Sequence, residues 1–306
     1  MCAKKVAISI GDLNGVGIEI ALKAHNTIKN ICDPLYCIND TMLEQAASHL
    51  HVTIPKDFAV LHVNGFFTIQ PGSICASSGL YSYLSFLKAV QTAEQKKVDA
   101  VVTLPIHKEA WMRAGIAYKG HTDMLRDYFN RDAIMMLGCD AMYVALFTEH
   151  IPLKEVAKSL NVQRLSTFFK DTIQTTRAEK IAVLGLNPHA GDHGVLGDEE
   201  TIITRAITAV NSEYSTDILQ GPLVPDIAFT PHTRSQFTHF IAMYHDQGLA
   251  PLKALYFDES INVSLNLPII RTSVDHGTAF DIAYKHRAKE QSYLNAVKAA
   301  INYSLL

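Results

Sequence analysis

Three histidines, His150, His189 and His245, each come just after a short apolar run that reads as a β-strand, over residues 142–148, 181–186 and 240–244. Open α/β sheets gather their ligands at the carboxyl ends of their strands. Three imidazoles placed there could hold a divalent ion such as Zn²⁺ or Co²⁺ and leave coordination positions open for a substrate oxygen. The competing reading of each is a hydrogen-bonded structural histidine. Asp226 and Asp246 are carboxylates of the kind that orient ligating imidazoles through their second nitrogen. Downstream of His245 stand Lys253, Asn262 and Arg271. A divalent ion beside these cations would make an electropositive pocket suited to a phosphorylated substrate. Alternatively, Lys253 and Arg271 pair with Asp258 or Glu259 at the surface.

Two further stretches bear on an anion. His121 and Thr122 open a segment with apolar positions at Met124, Leu125 and Tyr128, the pattern of a helix N-terminus whose N–H groups favour phosphate; a plain cap is the alternative. Asp275-His-Gly-Thr278 precedes Ala279, Ile282 and Ala283, whose spacing predicts a second helix N-terminus able to receive an anion.

The elements that must position these residues alternate between strand and helix. Residues 5–10 read as a strand, followed by the turn Gly11-Asp-Leu-Asn-Gly15-Val-Gly17 and a helix carrying Ile18, Ile20 and Leu22. The glycines fall as G-x-x-x-G-x-G and not as the dinucleotide fingerprint G-x-G-x-x-G, so they are a weak basis for a Rossmann domain, and a tight turn packing helix on strand is the alternative. Strands are expected at 35–38, 58–63 and 100–104, and a hairpin over 134–137 and 142–148. Helices are expected behind Asp40, Ser78 and Asn161 as caps, behind the acidic Asp198-Glu-Glu, and over 291–305. The alternation predicts an α/β protein with a largely parallel sheet.

The 306 residues, 48% of them hydrophobic, suffice for two joined domains. A net charge of −3 and a pI near 6.5 give no basic stripe for nucleic acid. No apolar run approaches the ~18 residues of a membrane span, and Val6–Ile10 is too short for a secretory signal, so a cytoplasmic protein is expected. The five cysteines contain no C-x-x-C pair and are expected to be reduced.

The blocks Lys119-Gly-His-Thr-Asp, Thr148-x-His-Ile-Pro-Leu, Leu186-Asn-Pro-His-Ala-Gly, Ala242-Met-Tyr-His-Asp-Gln-Gly, Asn262-Val-Ser-Leu and Arg271-Thr-Ser-Val-Asp-His-Gly-Thr-Ala together resemble the 4-hydroxythreonine-4-phosphate dehydrogenase family of pyridoxal phosphate biosynthesis. The resemblance implies a two-domain α/β/α fold like that of isocitrate and isopropylmalate dehydrogenases. It places residues 1–118 and 250–306 in a nucleotide-side domain and 119–249 in a metal, substrate and dimer domain. It implies His150, His189 and His245 as ligands of Zn²⁺, Co²⁺ or Mg²⁺, with Asp226, Asp246 and Lys253 as the catalytic group. His121, Thr122, Lys253, Asn262 and Arg271 become substrate contacts. Gly277 and Thr278 become contacts of NAD or NADP, because His276-Gly-Thr-Ala resembles a nucleotide-contacting segment of the wider fold.

The implied reaction is oxidation of 4-(phosphooxy)-threonine to 2-amino-3-oxo-4-(phosphooxy)butanoate, which decarboxylates to 3-amino-2-oxopropyl phosphate. Oxidation of threonate or erythronate 4-phosphate is the alternative. The proton acceptor is Lys253 or a metal-bound water. The resemblance further implies a homodimer with its active site shared between subunits. His245, placed at the return crossover, would then meet the histidines of a neighbouring chain. The chain departs from the family in its first loop, where Leu13 and Ile18 replace prolines.

Overall fold

The computed structural model describes residues 3–306; Cys2, one of the five cysteines expected to be reduced, lies outside them. The chain divides into two compact units, Met1–Arg131 with Leu267–Leu306, and Asp132–Asn266. These crossings come later than the expected 118/119 and 249/250. His121 packs against Phe86 and Trp111, which keeps its helix with the first unit, and the helix after His245 packs on strands of the second.

In the first unit, β1 (Lys5–Ser9), α1 (Gly17–Lys29), β2 (Asp33–Cys37), α2 (Asp40–Leu50), β3 (Val60–Leu61), α3 (Ala76–Glu94), β4 (Ala100–Thr103), α4 (Lys108–Arg113) and α5 (His121–Phe129) follow one another. In the second come β5 (Ile134–Cys139), β6 (Met142–Leu146), α6 (Leu153–Ser159), α7 (Val162–Thr176), β7 (Ile181–Leu184), α8 (Glu200–Tyr214), β8 (Leu219–Leu223), α9 (Pro231–Arg234), β9 (His239–Ala242), α10 (His245–Tyr256) and β10 (Ile261–Leu265). The chain then re-enters the first unit with β11 (Arg271–Val274) and α11 (Gln291–Tyr303).

Strands of the first unit lie in the order β3-β2-β1-β4-β11, all parallel. Val6–Ser9 of β1 and all of β4 are buried, as strands covered on both faces must be. In the second unit the order is β10-β5-β6-β9-β7-β8. β5 pairs antiparallel with β10 and, as the expected hairpin, with β6, while β6, β9, β7 and β8 run parallel. The core of this unit is aliphatic and aromatic, with Leu146, Leu184, Phe240, Ala242 and Leu252 at its centre.

Side-chain caps explain several helix starts. Asn161 caps α7 by accepting from Gln163 and Arg164 N–H groups at 2.9 and 3.2 Å. At α2 the cap is Asn39 and not Asp40, since the Asn39 side chain accepts from Met42 N–H at 2.9 Å. At α3 it is the Cys75 sulfur, on Ser78 N–H at 3.4 Å, in place of Ser78.

The helix expected after Asp275 does not form. Residues 275–290 run as bends and turns, with Ala279, Tyr284 and His286 left-handed at φ 43°, 61° and 56°. The Thr278 carbonyl is taken by Val16 N–H at 3.0 Å and Tyr284 Oη donates to the Leu13 carbonyl at 2.7 Å, so contacts with the glycine-rich turn override the local periodicity. Among the described residues no helix is long and apolar enough to cross a membrane, and the four described cysteines are free thiols.

Candidate active site

β6, β9 and β7 are neighbours in the sheet and parallel, and their carboxyl ends carry His150, His245 and His189 respectively. Convergence of the three segments therefore follows from strand order alone. His245 is the first residue of α10; its ring centroid lies 5.5 Å from that of His150, tilted by 42°. The two rings lie close together within one chain. Nδ1 of His245 lies 2.7 Å from Asp246 Oδ1, an arrangement that fixes the imidazole and leaves Nε2 directed away, where it could ligate an ion.

Polar side chains whose roles the sequence did not disclose hold these loops in register. Thr148 Oγ1 donates to the Met243 carbonyl at 2.6 Å, tying the end of β6 to the end of β9. Gln247 Oε1 accepts from Met243 N–H and its Nε2 donates to the Gly185 carbonyl, both at 2.7 Å, tying α10 to the end of β7. Glu200 Oε1 accepts from Leu186 and Asn187 N–H groups at 2.8 and 2.7 Å, and its Oε2 accepts from Asn187 Nδ2 at 2.9 Å. That carboxylate anchors the turn Pro188–Gly194, in which His189, Ala190, Gly191, Asp192 and His193 are all left-handed. Four non-glycine residues in that conformation cost free energy, and such strain concentrates at functional sites.

The structure does not bring every expected ligand together. Among the described residues no three His, Cys, Asp or Glu side chains form a group that could hold a metal ion. His189 is exposed on its turn. Asp226 is exposed in the turn after β8 and is not among the partners of any histidine ring described. The donor chemistry of the His150–His245 pair with Asp246 suits a divalent ion.

Lys253 lies on α10, half-buried, with Nζ 5.5 Å from the Phe257 ring. Asn262, on β10, has a buried Oδ1 that makes no hydrogen bond and so has an acceptor to offer.

In the first unit Arg271, on β11, is only 2% exposed. Burial pulls its pKa down to about 9, which still leaves it charged at neutral pH. His121 opens α5, with Thr122 beside it. Its ring packs edge-on to Phe86 at 4.5 Å and to Trp111 at 5.8 Å, and Nε2 is buried without a partner. Burial, and then the charge of Arg271, hold its pKa well below the usual histidine range, so the ring is neutral. A buried guanidinium near a neutral imidazole with an unsatisfied nitrogen has the chemistry to receive an anion.

Thr278 is buried against Gly15, where an added Cβ would stand 2.8 Å from the Thr278 carbonyl oxygen. Around Gly277 there is open space. Thr278 therefore sits at the glycine-rich turn after β1, and both residues lie in coil and not at a helix N-terminus.

Fold and site together define the class. A solved β-decarboxylating dehydrogenase from Thermococcus kodakarensis superposes with a TM-score of 0.52 at 13% identity, over 99% of this chain and 84% of that one, a likeness of fold. The sequence profile of the family described as pyridoxal phosphate biosynthetic protein PdxA matches residues 28–300. A 4-hydroxythreonine-4-phosphate dehydrogenase of Sulfurimonas denitrificans is 64% identical over 301 residues, 98% of each chain. The crystal structure of a 4-hydroxythreonine-4-phosphate dehydrogenase from Burkholderia phymatum matches with a TM-score of 0.82 at 31% identity, over 99% of both chains. The chain belongs to the PdxA family, a family of enzymes.

Proposed function

We propose that the protein oxidises 4-(phosphooxy)-threonine with NAD or NADP to 2-amino-3-oxo-4-(phosphooxy)butanoate, which loses CO₂ to give 3-amino-2-oxopropyl phosphate on the route to pyridoxal 5'-phosphate. The observation that carries this reading is the His150–His245 pair at adjacent strand ends in a chain of this family. His150, His245 and His189 hold a divalent ion, and Asp246 orients His245. Bound there, such an ion supplies Lewis-acid polarisation of the hydroxyl and stabilisation of negative charge during decarboxylation, while the nicotinamide supplies the hydride acceptor.

The chain's own residues do the rest. Arg271 and His121 take the phosphate: the guanidinium donates charge-assisted hydrogen bonds, and His121 Nε2 finds there the partner it otherwise lacks. Asn262 Oδ1, likewise unsatisfied, accepts from a substrate N–H or O–H. Lys253 contacts the substrate and receives the hydroxyl proton. Asp226 supports the loop next to His189, and Gly277 and Thr278 line the nucleotide site, where open space at Gly277 admits a planar group.

The ligand set is completed in a homodimer. Two of the three rings meet within one chain, and the loops around them expose large apolar side chains: Ile151 and Leu153 beside His150, Val195 (78%) and Leu196 after His189, and Ile227 next to Asp226. Exposed apolar groups gathered about a site mark a surface that another chain covers. The dimer works in the cytoplasm, as its free thiols suit.

The test is nicotinamide reduction by the purified, metal-supplemented protein on a panel of 4-(phosphooxy)-threonine, threonate 4-phosphate and erythronate 4-phosphate, with NAD and with NADP. Turnover on the first substrate supports the proposal. Turnover restricted to the hydroxy acids that lack the amino group refutes it.

A further inference from the structure

β4 is an aliphatic strand, Ala100-Val-Val, that ends in a hydroxyl: Thr103, fully buried. On the neighbouring β11, Arg271 directs two donors of its guanidinium at that one oxygen, Nε at 3.1 Å and Nη2 at 2.6 Å from Thr103 Oγ1. A guanidinium is a rigid plane with five N–H donors, so two donors held at a single acceptor fix both the position and the tilt of the plane. Thr103 is 0% exposed and Arg271 2%, so bulk water does not compete for these donors. Leaving the two donors without an acceptor would be costly in that interior.

The geometry points to Thr103 as a positioning residue for the substrate phosphate: its hydroxyl oxygen holds the Arg271 guanidinium in the orientation that meets the anion. This rests on the reading of Arg271 as a phosphate ligand. The sequence offers no hint of it, since a threonine closing an apolar strand looks like ordinary β-sheet composition.

Thr103→Val keeps the branched shape that suits a strand and removes the acceptor, whereas Thr103→Ser keeps the acceptor. Binding of inorganic phosphate is followed by the fluorescence of Trp111, the only tryptophan, whose ring is 5.8 Å from that of His121. Steady-state kinetics on the phosphorylated substrate run alongside. T103V is expected to weaken phosphate binding and raise KM for the phosphorylated substrate about tenfold, with kcat and the KM of the nicotinamide nucleotide changed less than about twofold. T103S restores both, and T103V adds nothing further in an Arg271→Ala background.

Wild-type phosphate affinity in T103V, with R271A still weak, overturns the inference and leaves Arg271 as the phosphate ligand. Wild-type affinity in R271A itself overturns that reading and the inference together. If T103V does not fold, T103S decides: loss of phosphate affinity in a folded T103S, which keeps the hydroxyl, overturns the inference, and retained affinity supports it.

Discussion

Gly248→Ala tests whether the close approach of α10 to the sheet places His245. An added Cβ at Gly248 would stand 2.5 Å from Val144 Cγ1, 2.9 Å from Ala242 Cβ and 3.4 Å from Leu146 Cδ2. Val144 is stiff at χ1 and Ala242 has no rotamer to give, so relief must come from the helix moving outward by about 1 Å to reach ordinary contact. Overpacking of this kind costs about 1–3 kcal/mol. The same displacement reaches His245, three residues upstream on α10, and opens the 5.5 Å approach to His150; a ligand misplaced by about 1 Å loosens a site severely. Denaturant unfolding should show the loss of stability, and titration with Co²⁺ should show affinity reduced about tenfold or more. Val144→Ala removes the nearest clashing atom, so the two substitutions should couple by about 1 kcal/mol or more in a double-mutant cycle. Wild-type stability and Co²⁺ affinity in the single G248A variant would refute the claim that this packing sets the position of His245.

Arg271→Ala removes a buried charge-assisted partner and should lower kcat/KM for phosphorylated substrate by roughly 30- to 150-fold, about 2–3 kcal/mol; an unaffected kcat/KM would exclude Arg271 from the phosphate seat. Asp246→Asn takes away the carboxylate at His245 Nδ1 and should weaken metal affinity about 10- to 100-fold, read by competition with a chelator, with unchanged affinity as the contrary result. Asp12 is fully buried, accepts from Asn14 N–H at 2.9 Å and Ser78 Oγ at 3.1 Å, and burial lifts its pKa from 3.8 to about 6. A carboxyl raised on folding stabilises fully below its unfolded pKa and loses that contribution as pH rises through the folded one. Asp12→Asn should therefore flatten the stability profile between about pH 4 and pH 6, a change of up to about 3 kcal/mol, and an unaltered slope in melts across that window would count against the buried carboxyl.

The placement of the three histidines after strand ends was legible because each follows an apolar run, and the strand order β6-β9-β7 makes those runs neighbours. The hairpin of β5 and β6 was legible for the same reason, as was the Asn161 cap. What the sequence concealed is long-range polar chemistry. Thr148, Gln247, Glu200 and Thr103 carry no periodic signal, and their partners lie 95, 62, 13 and 168 residues away along the chain. The segment after Asp275 misled in the opposite sense. Its apolar spacing is helical, yet hydrogen bonds to Val16 and Leu13 and the left-handed Ala279 hold it as coil, a case of tertiary contacts overriding local pattern. The pairing of His150 with His245 in one chain could not be read from their distance in sequence.

Metal-stripped protein titrated with Co²⁺ tests the central claim most directly, with ion binding and turnover of 4-(phosphooxy)-threonine followed on the same samples. The account predicts that reduced nicotinamide appears in proportion to the ion bound, with one CO₂ released per hydride transferred, and that His189→Ala purifies folded but neither binds the ion tightly nor turns over. Full turnover by the stripped protein, or wild-type binding and turnover in H189A, would contradict it.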